Sequence, residues 1–274
     1  METDLSAFVP NVHFEQIPIK NLVSNQDYQR NLSIKHVQKA AANFNLYQIN
    51  PVKVSRREGV NYVFNGQHTI EIVALVSGSR ETPVWCMIYE DLGYAEEAEI
   101  FANQMKYNKP LLPYEIFMAN IEAGNDEQIL IKDLVESFDL ELSSSGGPGS
   151  ICAITTLEEI FEKQGYEMLS RILGLIIATW EGAPMSLSSN ILKGVSRFLA
   201  AYGDEVRDEA FKEKLSQVSI KELTRTAKDR RAGSLGYAEA MVLAYNNRKS
   251  NGVIKMEKLY AKKKKPGKED EEKA

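Results

Sequence analysis

The spacing of apolar residues in the first part of the chain predicts a small mixed α/β unit over residues 1–115. Short runs rich in Val, Ile, Tyr and Phe favour strands, and apolar positions three to four residues apart favour helices. The turn at residues 56–59 joins two of the strands as a hairpin. The predicted strands are 14–19, 51–54, 62–64 and 83–89. The predicted helices are 33–45, 69–77 and 95–104.

The pattern becomes helical from Pro113 onward and predicts an all-helical domain over residues 116–261. A charged tail without apolar periodicity, residues 262–274, is expected to be disordered. The fold class expected is therefore α+β, with a small mixed-sheet domain followed by a helical one. The predicted helices of the second domain are 113–123, 126–137, 155–165, 167–180, 187–202, 204–215, 219–228 and 235–247.

A segment rich in serine and glycine, residues 143–150, interrupts the helical pattern. Its three glycines could cradle a phosphate, because glycine lets an anion approach the backbone closely. The segment lacks the Gly-Lys-Ser/Thr ending of a P-loop. We therefore predict a flexible hinge at this point of the chain.

Composition excludes several classes of protein. Of the 274 residues 43% are hydrophobic, which rules out a wholly disordered chain. Two cysteines are too few for a disulfide scaffold, and three histidines argue against a histidine-rich metal centre. The 33 basic and 38 acidic residues leave a net charge of −5, which disfavours coating nucleic acid by bulk charge. A local basic patch remains compatible with that charge.

The beginning of the sequence lacks the basic and apolar regions of a signal peptide. The longest apolar stretch, residues 172–178, falls far short of the ~20 residues that span a bilayer. We expect a cytoplasmic protein without a membrane partner.

The strongest candidate for chemistry is residues 62–75, where a predicted strand runs through Asn65-Gly66 into an apolar helix. Polar Gln67, His68 and Thr69 stand at the start of that helix. The first turn of a helix has unpaired N–H groups and a dipole that favours negative charge, so this corner is suited to an anion. The alternative is an ordinary strand–turn–helix corner with Asn-Gly as its turn.

Four short segments, in order, resemble motifs of the ParB/sulfiredoxin superfamily. Asn25-Gln-Asp-Tyr-Gln-Arg30 is similar to the first motif, which precedes a helix. Asn45-Leu-Tyr-Gln-Ile-Asn-Pro-Val-Lys-Val54 is similar to the strand entry that follows. Asn65-Gly-Gln-His68 resembles the central motif, and Ala102-Asn-Gln-Met-Lys106 resembles the Glu-Asn-x-x-Arg box. The resemblance covers roughly residues 15–115.

This resemblance implies a ParB-like nucleotide-binding protein that is associated with DNA. The implied cofactor is a nucleoside triphosphate with Mg²⁺, whose metal Asn103 could contact. His68 becomes a phosphate ligand in this interpretation, and a hydrogen-bonded corner residue without it. The residues implied to hold the nucleotide phosphates are Gly66, Gln67, His68, Thr69, Asn103, Lys106 and Arg30.

The chain departs from the family motifs at four positions. Thr69 stands where the family has arginine, Ala102 replaces the glutamate that helps hold metal, and Lys106 replaces an arginine. Gln67 occupies the position of the sulfiredoxin cysteine, which excludes sulfinic-acid reduction by a thiol there. Because these changes weaken the charge of the pocket, efficient hydrolysis is not expected.

A second candidate site is basic. Lys221, Arg225 and Lys228 recur at helical spacing on one face, and Leu223 lies on the other. Such a face could neutralise DNA phosphates, and the alternative is a solvated mixed-charge helix. The Lys-rich run at 262–265 adds further positive charge. The residues predicted to bind DNA are Lys221, Arg225, Lys228, Arg230 and Arg231.

Three hypotheses about function follow. The first is nucleotide-dependent association with DNA, in which the helical region supplies DNA or homodimer contacts. The second is a nuclease or a phosphotransferase/NTPase on the same fold, with His68 and Glu71 as candidate catalytic residues and Glu90 or Asp91 as further carboxylates. The third is a non-catalytic interaction protein of a mobile element, such as an antagonist of host defence, which acts through another protein.

Overall fold

The computed structural model describes residues 10–24, 28–90, 92–107, 109–247 and 252–261. The chain divides into two compact units, Met1–Lys109 and Pro110–Ala274. Among the described residues the first unit contains a five-stranded mixed sheet with three α-helices, and the second is mainly helical. The expected α+β class, a mixed-sheet domain followed by a helical one, is thereby confirmed.

The sheet of the first unit has five strands: β1 (Val12–Pro18), β2 (Leu22–Ser24), β3 (Val52–Arg57), β4 (Val60–Asn65) and β5 (Pro83–Glu90). Their order across the sheet is β1-β5-β3-β4-β2. β1–β5 and β3–β4 are antiparallel pairs, whereas β3–β5 and β2–β4 are parallel. The strand β2 was not predicted, because three residues with one partly buried side chain are too short to show alternation.

Three helices complete this unit: α1 (Ile34–Ala42), α2 (Gln67–Ser77) and α3 (Tyr94–Tyr107). The Ser33 hydroxyl caps α1 by accepting the N–H of His36 at 3.3 Å. The helix α2 buries Ile70 and Val73 against the strands. The rest of this core is Ile17, Ile19, Val52, Val54, Val63, Val84, Cys86 and Ile88.

The described part of the second unit has seven α-helices and a short 3-10 helix (Met256–Tyr260), with one apolar core that includes Ile172, Phe198, Phe211 and Met241. A parallel two-stranded ribbon, residues 141–142 with 150–151, interrupts the helices, and the sequence did not predict it. The elements are α4 (Pro113–Glu122), α5 (Asp126–Glu136), β6 (Glu141–Leu142), β7 (Ser150–Ile151), α6 (Ile154–Trp180), α7 (Ser189–Tyr202), α8 (Asp208–Leu215), α9 (Ile220–Arg230) and α10 (Ser234–Asn246).

Two helical segments were predicted where α6 runs, and the backbone of α6 breaks between them. Gly165 has φ 80° and ψ 177°, which are not helical values. The helix predicted to begin at residue 204 begins at Asp208 instead, since residues 203–205 form a turn and Val206 after it is buried in the core. The charged tail, 262–274, lies outside the described residues. No helix in the described ranges is long and apolar enough to cross a bilayer.

Candidate functional site

A pocket of about 460 Å³ lies at the N-terminus of α2 in the first unit. It is bounded by the loop before α1, by α1 itself, by the corner between β4 and α2, and by α3. Its lining residues are Gln29, Arg30, Asn31, Ser33, His36, Asn65, Gly66, Gln67, His68, Thr69 and Phe101.

The corner between β4 and α2 depends on Gly66. This residue has a left-handed backbone with φ 112°, which side chains rarely tolerate. A Cβ here would stand 3.2 Å from the Cα of Val52 on the neighbouring strand. Gly66 is the N-cap of α2 and supplies no capping side chain, and the first turn carries no acidic residue. The helix start therefore keeps the uncapped N–H groups and positive dipole end that suit an anion.

Gln67 ties the helix start to the loop before α1. Its side-chain amide nitrogen donates to the carbonyl oxygen of Arg30. Its Oε1 is buried and has no hydrogen-bond partner in the described part of the chain. A buried acceptor left without a donor costs free energy, so this oxygen fits an N–H or O–H group of a bound ligand.

His68 is held as a neutral imidazole. Its Nε2 accepts the backbone N–H of Ser33 at 3.1 Å, and its ring stacks edge to face on His36 at 5.4 Å. Burial, followed by the charges of His36 and Arg30, lowers the pKa of His68 below its ordinary value. Arg30 and the positive dipole end of α2 therefore lie at the pocket together with a neutral His68 ring.

Hydrogen bonds from Tyr28 and Gln29 hold the loop before α1 against the rest of the first unit. The Tyr28 hydroxyl donates to Glu97 at 3.1 Å, and Arg57 lies 3.0 Å from the other oxygen of the same buried carboxylate. Gln29 is also buried and donates to the carbonyl of Val63 at 2.6 Å. The sequence indicated neither Glu97 nor Gln29 as part of the site. These contacts hold Arg30 beside the corner.

The structure brings five of the seven predicted phosphate ligands to this pocket: Arg30, Gly66, Gln67, His68 and Thr69. Asn103 and Lys106 are exposed on α3 and do not line it. Lys106 instead places its ammonium 5.3 Å from the ring of Tyr107. A different face of α3 turns to the corner, through Phe101 and through Gln104, which accepts a hydrogen bond from Asn65 at 3.4 Å.

The carboxylates considered for catalysis lie elsewhere. Glu71 forms a bidentate ion pair with Arg80, at 3.1 Å to both carboxylate oxygens, and does not line the pocket. Glu90 lies 3.9 Å from both Arg56 and His13, and Asp91 lies outside the described residues. Within the described ranges no three His, Cys, Asp or Glu side chains cluster as a metal site would require. The pocket thus offers anion binding without a carboxylate among its described lining residues.

The basic face of α9 divides into two parts. Lys221, Arg225 and Lys228 are exposed and form no ion pair with any described residue. Their opposite face, Leu223 and Ala227, is buried in the core. These three cations are therefore accessible to a polyanion.

Arg230 and Arg231 instead neutralise a buried carboxylate. They lie 3.0 and 2.8 Å from Glu239 of α10, whose side chain is 1% exposed. Tyr260 donates to the same carboxylate at 2.7 Å. The close approach depends on Gly236, because a Cβ there would stand 2.2 Å from the carbonyl oxygen of Arg231. These two predicted DNA ligands thus connect α9 to α10.

A family model described as "Family of unknown function (DUF6551)" matches residues 23–262. No curated protein matches the sequence. Solved structures that are similar include the C-terminally truncated chromosome-partitioning protein ParB from Caulobacter crescentus complexed with CTP-gamma-S, at 15% identity and a TM-score of 0.35. That match covers 85% of this chain and 97% of the other. A Pnob8-like ParB-N domain matches at 14% identity and a TM-score of 0.29, covering 86% and 94%. Likenesses this weak carry no functional conclusion.

Proposed function

The chain belongs to the family of unknown function DUF6551, and we propose that it binds a nucleoside triphosphate in its first unit and DNA through α9. The observation that carries the proposal is the shared pocket of Arg30, Gly66, Gln67, His68 and Thr69 at an uncapped helix start. The ParB/sulfiredoxin-like motifs indicate the same residues independently of where they lie in space. Mg²⁺ would accompany the triphosphate, and of the α3 residues Phe101, not Asn103 or Lys106, lines the pocket.

The chemistry of the pocket suits phosphate. Unpaired N–H groups at a helix start bind oxyanions, and the helix dipole adds about half a positive charge. The cationic side chain of Arg30 lines the pocket, and no carboxylate is among its described lining residues. A volume of about 460 Å³ falls in the range of small-molecule sites.

The direct test is calorimetric titration of the full chain with CTP, ATP and ADP, each with and without Mg²⁺. We expect heat of binding with at least one triphosphate. Arg30→Gln should weaken binding, because it removes the one arginine among the described lining residues and with it a hydrogen-bond donor group for phosphate. Arg80→Gln is the matched control, since Arg80 pairs with Glu71 outside the pocket. Absence of any heat of binding with all of these nucleotides would contradict the proposal and favour a non-catalytic interaction protein.

Triphosphate binding should raise the pKa of His68. The unliganded pKa lies below the ordinary value of ~6.5, and a nearby polyanion favours the imidazolium form. Binding then takes up a proton, so affinity should increase as the pH falls from about 7.5 to 6. NMR titration of the His68 ring, with and without nucleotide, measures the shift. The ring of His13 on β1 is the internal control, and an unchanged His68 would exclude phosphate from its surroundings.

DNA association should depend on the exposed cations of α9. Replacing Lys221, Arg225 and Lys228 together by glutamine should weaken binding and lower the slope of log K against log salt. The expected decrease is about one unit for each DNA phosphate that the variant no longer neutralises. Fluorescence anisotropy with labelled duplex DNA measures this slope.

The control for this experiment removes the same charge elsewhere. Lys20, Lys132 and Lys163 are each ion-paired on the surface. Their triple replacement by glutamine changes net charge equally and should leave the salt slope near that of the wild type. Equal weakening in both triple variants would mean that bulk charge, and not α9, determines DNA binding.

A further inference from the structure

A second cavity lies in the second unit and is lined by residues that the proposed function does not use. It has a volume of about 740 Å³ and is lined by the glycine-rich segment 146–150, by Cys152 and Ala153, and by residues 182–189. None of the described residues that line it is charged. Its walls include Pro148, Met185 and Leu187, so most of it is apolar.

Two helices begin at this cavity. The N-caps of α6 and α7, Ala153 and Ser188, both line it, and neither makes a side-chain capping hydrogen bond. The two first turns are joined by a hydrogen bond of 2.6 Å between the hydroxyls of Thr156 and Ser189. Each helix start is equivalent to roughly half a positive charge, so the pair supplies roughly one charge to the same cavity.

Ser186 provides a second, independent sign of a ligand. It lines the cavity and is 1% exposed, and its Oγ has no hydrogen-bond partner in the described part of the chain. Buried hydroxyls are satisfied in most native structures, since an unmade hydrogen bond costs ~1–3 kcal/mol. An oxygen of a bound anion would accept from this hydroxyl and from the helix N–H groups together.

We propose that this cavity binds an organic phosphate, with the phosphate at the paired starts of α6 and α7 and an apolar or aromatic group against Met185 and Leu187. The uncapped N–H groups and the Ser186 hydroxyl are donors, as a phosphate oxygen requires. The apolar walls and the volume suit an organic remainder much larger than the phosphate itself. The glycine-rich segment that was predicted to be a hinge forms one wall of the site.

Cys152 serves as a reporter of this site. It is exposed, lines the cavity, and its Sγ lies 3.5 Å from the position of a Cβ on Gly146. Cys86, the other cysteine, is buried in the sheet core. Alkylation by the uncharged reagent iodoacetamide should therefore report on Cys152, and a ligand in the cavity should slow it.

The experiment titrates the full chain with phenyl phosphate by calorimetry and follows alkylation of Cys152 in parallel. Phenol and inorganic phosphate test each half of the ligand. We expect phenyl phosphate to bind, to protect Cys152 and to exceed both fragments in affinity. Ser188→Asp should weaken phenyl phosphate at least about tenfold, because a carboxylate at the N-cap occupies the N–H groups and repels the anion.

The controls separate folding from binding. Aspartate is a favoured N-cap, so Ser188→Asp should unfold at or above the temperature of the wild type. Ser219→Asp makes the same change at the start of α9, away from the cavity, and should bind as the wild type does. Arg80→Gln, in the first unit and outside its pocket, should also leave binding intact. Absence of binding, binding that leaves Cys152 unprotected, or a Ser188→Asp variant with unchanged affinity would each overturn the proposal.

Discussion

Gly66→Ala is expected to abolish measurable triphosphate binding and to destabilise the fold by about 1–3 kcal/mol. The left-handed φ of 112° is strained for any residue with a Cβ. The new Cβ would also lie 3.2–3.3 Å from Val52, whose strand is part of the sheet core. Relief of this contact must move the start of α2, and with it the N–H groups proposed to bind phosphate. Calorimetry measures the first effect and chemical denaturation the second.

Gly78→Ala is the matched control for this prediction. Gly78 ends the same helix with a left-handed φ of 69°, so the backbone cost should be similar, at about 1 kcal/mol. No described atom lies within 4 Å of its added Cβ, and it does not line the pocket. This variant should be less stable and keep nucleotide affinity. If Gly66→Ala binds the triphosphate as tightly as Gly78→Ala does, the phosphates are not at the start of α2.

Glu239→Gln is expected to destabilise the protein by about 2 kcal/mol. This effect lies below the ~3–5 kcal/mol typical of a fully buried ion pair, because the arginines are partly exposed. The side chains of Arg230 and Arg231 are 43% and 49% exposed, against 1% for Glu239. The variant removes the charge that holds the end of α9 on α10. Urea denaturation at neutral pH measures the change.

The pH dependence provides a second measurement. Burial raises the pKa of Glu239, but hydrogen bonds from Tyr260 and Arg230 and the charge of Arg231 outweigh it, so the pKa lies below its ordinary value. A lowered carboxyl pKa stabilises the fold above the unfolded-state pKa, and this contribution is lost as the pH falls through the folded-state value. The difference between wild type and variant should therefore shrink below about pH 4.

The control is Glu205→Gln. Glu205 pairs with Lys258, and both side chains are about half exposed. Exposed pairs contribute little, so this variant should lie within about 1 kcal/mol of the wild type. If Glu239→Gln is as stable as Glu205→Gln, the two arginines do not anchor α9 and remain accessible to DNA.

Local sequence signals predicted most helices and strands. The apolar spacing of residues 69–77 and 187–202 located α2 and α7, and Ser33 located the start of α1. Such signals are local, since a helix repeats its buried face every three to four residues. The strand β2 was missed because its three residues are defined by pairing with β4 and not by alternation. The β6–β7 ribbon was missed for the same reason, as each strand has two residues.

Side-chain partners were less predictable than elements. Lys106 and Gln104 both lie on α3, and the motif indicated Lys106, yet Gln104 is the residue that reaches the corner. Arg225 and Arg230 look equivalent in a basic stretch, but of these two Arg230 is the one that meets a buried glutamate from the next helix. The rotation of a helix about its axis is set by the packing of its apolar face, which a motif does not record.

The sequence alone determined the α+β class, the order of most elements and the polar corner that begins at Gly66, because apolar periodicity and backbone chemistry are local properties. Only the tertiary structure decided which charges remain accessible and which groups share a cavity. It paired Arg230 and Arg231 with Glu239, and it joined a glycine-rich segment to the starts of α6 and α7. Both arrangements depend on contacts between residues far apart in the chain. The relative positions of those residues follow from the packing of the whole core.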